Sequence, residues 1–137
     1  MNEDSQQILE IMRKSIIENS PYPETFNKLK NSGVVNYKVS WDNGYCAQFN
    51  LDDGSKAIEN SLESFQQPII ATDFCSTMAE QALIKNQQDK ESKCPYLQML
   101  YDMSAAGASY YLVNMTDRSV RFFTPKQVEI LVEFVPE

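Results

Sequence analysis

The chain has 137 residues, 42% of them apolar, and a net charge of -7 at neutral pH. That acidic balance excludes the phosphate-neutralising surface on which direct nucleic-acid binding depends. It also disfavours an anionic membrane surface, and no apolar run approaches the roughly 18 residues a membrane span needs.

The chain has no histidine, and its three cysteines, Cys46, Cys75 and Cys94, are widely spaced. Structural zinc, a Cys-His dyad and a Ser-His-Asp triad are therefore excluded, and no disulfide framework is legible. With only four glycines there is no phosphate-cradling loop. No metal or cofactor is expected. The polar Met-Asn-Glu-Asp start is unlike a secretory signal, so the expected location is the cytoplasm.

Taken in order, Asp4 to about Asn19 predicts a helix. Ile8, Met12 and Ile16 share one stripe, widened by Leu9, Ile11 and Ile17, and Asp4 with Gln7 has capping-box spacing. Ser20-Pro21-Tyr22-Pro23 breaks it. A short helix from Pro23 to Asn31 follows, with Phe26 and Leu29 inward and Gly33 as its left-handed end. Val34 to Trp41 alternates as a strand with Val35, Tyr37, Val39 and Trp41 on one face.

Tyr45 to Leu51 returns with Tyr45, Ala47, Phe49 and Leu51 inward. Keeping both apolar sets on one face requires a three-residue loop with Gly44 left-handed, which pairs Tyr37 with Phe49. A third strand is expected at about Lys56 to Asn60. Residues 62–71 then connect, with Ile69-Ile70 as a buried patch.

The next helix starts at Asp73 or Thr77, presents Phe74, Met78 and Ala82 on one face, and fades into an exposed polar stretch after residue 86. A helix from Pro95 to Ala105 ends at Gly107. Strands are then expected at Ser109 to Met115, Ser119 to Phe123 and Val128 to Val135. In the last, Val128, Ile130, Val132 and Phe134 form one face, and Leu131 and Val135 lie opposite.

The second series repeats the first. At an offset of 74, Pro21/Pro95, Tyr22/Tyr96, Gly33/Gly107, Tyr37/Tyr111, Val39/Val113 and Phe49/Phe123 are identical, six of 31 aligned positions. Average composition would give about two. The expected architecture is α+β with internal duplication. Two helix-helix-hairpin units, each with a third strand (about 4–60 and 74–136), share the core of a single domain spanning 1–137. About 60 residues alone would bury too little.

The segments Ala82-Leu83-Ile84-Lys85, Tyr96, Ala105-Ala106-Gly107, Tyr111, Arg118, Phe122-Phe123 and Val132-Glu133-Phe134-Val135-Pro136 resemble the YbcV-like family, as do Tyr22-Pro23-Glu24, Gly33-Val34 and Tyr37. This is a domain-of-unknown-function group of bacteria and phages, sometimes labelled phage envelope protein. The resemblance covers most of the chain and implies a shared fold. It transfers no catalytic residue. The chain departs from the family at Thr124-Pro125-Lys126-Gln127, where a glycine-bearing turn is usual, and in a longer 86–94 stretch.

Candidate ligand-binding residues are the repeat-related pair Tyr37 and Tyr111 together with Trp41, for all three of which the core-aromatic reading is the stronger, and Arg118 and Arg121. Arg118 lies at the turn position matching Gly44, where an exposed guanidinium could meet an anion. Cys94, ahead of a helix start, is the candidate reactive thiol. No catalytic set is legible. The expected function is that of a non-catalytic interaction or accessory protein. The alternatives are a small-molecule binder with its pocket between the repeats and an acidic inhibitor mimicking nucleic acid. The partner is a protein or a small molecule, and a homodimer is expected if Tyr110, Leu112 and Phe122 form an exposed outer face.

Overall fold

The computed structural model describes residues 3–137, and side chains from residue 5 onward. The expected cap at Asp4 lies outside the described side chains. The elements are α1 (Glu3–Glu18), α2 (Tyr22–Asn31), β1 (Val34–Ser40), β2 (Cys46–Leu51), β3 (Lys56–Glu59), α3 (Ser76–Gln88), α4 (Pro95–Ala105), β4 (Tyr110–Asn114), β5 (Ser119–Phe123) and β6 (Glu129–Phe134). Two helices followed by three strands thus occur twice. The class is α+β.

All six strands form one antiparallel sheet in the order β3-β2-β1-β4-β5-β6. The two halves meet at β1 and β4, and exchanging them leaves the strand order unchanged. Each half closes with an edge strand packed by its first helix, α1 on β3 and α3 on β6. No helix among the described residues is long and apolar enough to cross a membrane.

A single apolar cluster runs beneath the helices. It joins Ile8, Phe26 and Leu29 of the first helical pair and Leu100 and Met103 of the second to Tyr37, Val39, Phe49, Tyr111, Val113 and Phe122 of the sheet. Neither half has a core of its own, as expected from how little surface a chain of half this length can bury.

The first hairpin has the expected register, Tyr37 opposite Phe49 and Val39 opposite Ala47. Gly44 is left-handed at φ 82°, and Gly33 and Gly107 end their helices at φ 101° and 96°.

Several expectations are corrected. A bulge between Val34 and Asn36 turns Val34 into the core and leaves Val35 exposed. In the second hairpin Tyr111 faces Phe122 rather than Phe123. The gapless repeat is therefore one residue out after the turn, and Phe122 is the counterpart of Phe49. Phe122 is buried on the helix-covered face, so the outer aromatic beside Tyr110 is Phe123, stacked on it at 4.9 Å.

A second bulge, opposite Phe122 and Phe123, falls at Ile130 and turns it into the core, away from the face it was expected to share with Val128, Val132 and Phe134. Leu131, Glu133 and Val135 face inward, whereas Val132 and Phe134 stay exposed. On α3 the buried residues are Ala79 and Ala82, while Phe74 and Met78 are about half-exposed. Small side chains here let α3 lie close to α4. Of the Ile69-Ile70 patch only Ile70 packs against the core.

Candidate functional site

Between the two helical pairs lies a cleft of about 590 Å3, within the size range of small-molecule sites. Its floor is the inner face of β4, β5 and β6, through Tyr111, Val120, Phe122 and Glu133. One wall carries Met12 and Ile16 of α1 and Tyr22 of α2. The other carries Leu83 and Gln87 of α3 and Tyr96 and Met99 of α4. Pro21, Pro23 and Pro136 rim it. The helix-breaking Pro21-Tyr22-Pro23 motif and its partner Pro95-Tyr96 therefore place one tyrosine on each side.

Those two tyrosines are held alike. The Tyr96 hydroxyl lies 2.8 Å from that of Tyr111, and Tyr22 hydrogen-bonds to Tyr37 in the same way. A third phenol, Tyr45, reaches Tyr96 at 3.2 Å, and the Tyr37 and Tyr111 rings meet edge to face at 6.3 Å. Burial pushes the phenols of Tyr37, Tyr96 and Tyr111 well up, as it does that of Tyr22. Tyr45 is pushed up to about 12, again chiefly by burial. At neutral pH all five are neutral, so they offer hydrogen bonds and ring faces and no phenolate nucleophile.

Among the described residues Glu133 is the single charged side chain lining the cleft. It stands opposite Val120 on the inner face of the sheet and accepts a 2.9 Å hydrogen bond from Gln87 Nε2. In the sequence Glu133 carries no signal of its own, a single acid between Val132 and Phe134 in a strand that is apolar on both sides. In the sequence Tyr22 and Tyr96 stand out as repeat identities and in the family resemblance, not as candidate site residues.

Of the candidate binding residues, Tyr111 lines the cleft. Tyr37 stands behind Tyr22. Trp41 is fully buried and its indole N–H donates to Ser104 Oγ at 2.9 Å. Arg118, expected to be exposed, is half-buried. Its φ of 58° matches the left-handed Gly44. Its guanidinium donates to the carbonyls of Val135 (2.9 Å) and Pro136 (2.6 Å) and to Asn27 Oδ1 (3.2 Å), over the ring of Phe26. It ties the C-terminal segment to α2 and leaves no open anion site.

Arg121 points to the other face of the sheet and pairs with Glu129 at 3.0 Å. Cys94 is the residue preceding α4, half-buried, and it is unpaired, as are Cys46 and Cys75. Among the described residues no three Cys, Asp or Glu side chains gather as a metal site.

No protein-family model matches the chain, and no curated protein matches it significantly.

Proposed function

We propose that this is a non-catalytic, small-molecule-binding protein whose site is the cleft between the two halves. The observation that carries the reading is the placement of Tyr22 and Tyr96, equivalent in the repeat, on facing walls of one apolar cavity. Apolar walls with a few convergent hydroxyls are the usual composition of a ligand pocket, and they favour this function over mimicry of nucleic acid, which acts through a charged exterior. The repeated element order and strand symmetry support an origin by internal duplication. The residues quoted above support membership of the YbcV-like family. Three unpaired cysteines suit a reducing compartment, and we place the protein in the cytoplasm.

Thermal-shift screening against a broad panel of metabolites, followed by NMR of the tyrosine rings, tests this. Ligands should raise the melting temperature and move the Tyr22 and Tyr96 signals, and Leu83→Trp, which fills the cleft, should abolish both effects while keeping the fold. A panel without a stabilising member, or ligands that bind the filled variant equally well, would refute it.

A further inference from the structure

We infer that the ligand of the cleft is an amphiphilic organic cation, an aromatic or aliphatic body carrying an ammonium or amidinium group; this rests on the cleft being a binding site. Glu133 is the reason. It is a half-buried carboxylate on the inner face of the sheet, opposite Val120. Its hydrogen bond comes from a neutral amide, Gln87, and among the described residues it belongs to no ion pair. The flanking inner-face positions, Leu131 of β6 and Val135 just after it, are apolar, so packing alone gives no reason for a charge between them.

A bound cation supplies the missing partner. Its charged end would meet the Glu133 carboxylate in a charge-assisted hydrogen bond. Its body would lie between Tyr22 and Tyr96, whose ring faces attract cations as well as apolar surface. No lysine or arginine among the described residues lines the cleft, so an anionic ligand finds no opposite charge there. The net charge of -7 also draws cations toward the protein.

Three probes of one shape separate the cases: naphthylmethylammonium, naphthalenemethanol and naphthoate. Each is titrated into the full-length protein by calorimetry, with the Tyr22 and Tyr96 ring signals as the site readout. The ammonium should bind at least about tenfold more tightly than the alcohol, and naphthoate weakest. Glu133→Gln keeps an acceptor for Gln87 and should remove that advantage. Glu129→Gln, which takes the same charge from the outer face, should leave it intact. If the alcohol and the ammonium bind the cleft equally, or Glu133→Gln binds the ammonium as wild type does, the cation inference fails and the cleft stands. If none of the three moves the tyrosine signals, the binding reading fails and the inference with it.

Discussion

The hydroxyl of Tyr96 sits 2.8 Å from that of Tyr111, and fifteen residues likewise separate the hydrogen-bonded Tyr22 and Tyr37. The pairs differ in one respect, since Tyr96 also contacts Tyr45. Tyr96→Phe therefore strips a partner from two buried phenols, whereas Tyr22→Phe strips it from one. An unsatisfied buried hydroxyl costs about 1–3 kcal/mol. Urea denaturation should show Tyr96→Phe to be the more destabilising, with an unchanged m-value. Equal losses would mean that the Tyr45 contact contributes nothing.

The same phenols set the alkaline limit of the fold. In the unfolded chain a tyrosine titrates near 10, whereas burial holds the five network phenols above that, Tyr45 at about 12. A raised folded-state value means that the unfolded chain releases protons first. The contribution is complete below about pH 10 and is lost as pH rises beyond it, by up to about 1.4 kcal/mol per pH unit for each phenol still protonated. The urea midpoint should be level up to about pH 9 and fall steeply by about pH 11, and most phenolate absorbance should appear together with unfolding. A full phenolate signal from a protein that stays folded would contradict this.

Two buried serines should respond oppositely to truncation. Ser104 Oγ accepts from the Trp41 indole and donates to the Leu100 carbonyl at 2.8 Å. Ser104→Ala leaves the indole N–H without a partner in the core and should cost about 1–3 kcal/mol. Ser109 Oγ is buried without a hydrogen bond, so Ser109→Ala removes an unsatisfied group and should be neutral or stabilising. Chemical denaturation followed by the fluorescence of Trp41, the only tryptophan in the chain, reads both. A loss for Ser109→Ala as large as that for Ser104→Ala would overturn the assignment.

From Tyr37 onward the first hairpin was legible because its two strands alternate, and one register satisfies both apolar sets. The sheet's far edge was not. Val128 to Val135 is apolar on both faces, so its pattern does not decide which side is inward, and a bulge opposite Phe122 and Phe123 decides it instead. That bulge carries Glu133 into the cleft. Bulges are set by pairing with a neighbouring strand rather than by local preference, which is why Val35 and Ile130 leave the faces expected of them. Tyr22 and Tyr96, aligned by the offset of 74, each hydrogen-bond to a tyrosine fifteen residues on. Their shared cavity depends on β1 pairing with β4, a long-range contact that no local pattern encodes.

Gly107 shows where the repeat constrains the chain most tightly. It and Gly33 end equivalent helices at similar positive φ, 96° and 101°, so alanine at either incurs the left-handed penalty of about 1–2 kcal/mol. Their surroundings differ. A Cβ on Gly33 would approach Asp52 Oδ1 at 3.2 Å, the end of a side chain that can turn away. A Cβ on Gly107 would lie 2.8 Å from Phe74 Cα and 2.9 Å from the Asp73 carbonyl oxygen. That backbone is pinned by the Cys75 amide, which donates to the Ala106 carbonyl at 2.9 Å. Gly107→Ala must therefore displace the segment leading into α3, and should exceed Gly33→Ala by at least about 1 kcal/mol in urea denaturation. Hydrogen exchange should quicken at Cys75 in Gly107→Ala and not in Gly33→Ala. Equal losses for the two variants would show that the close approach at Gly107 is not a constraint.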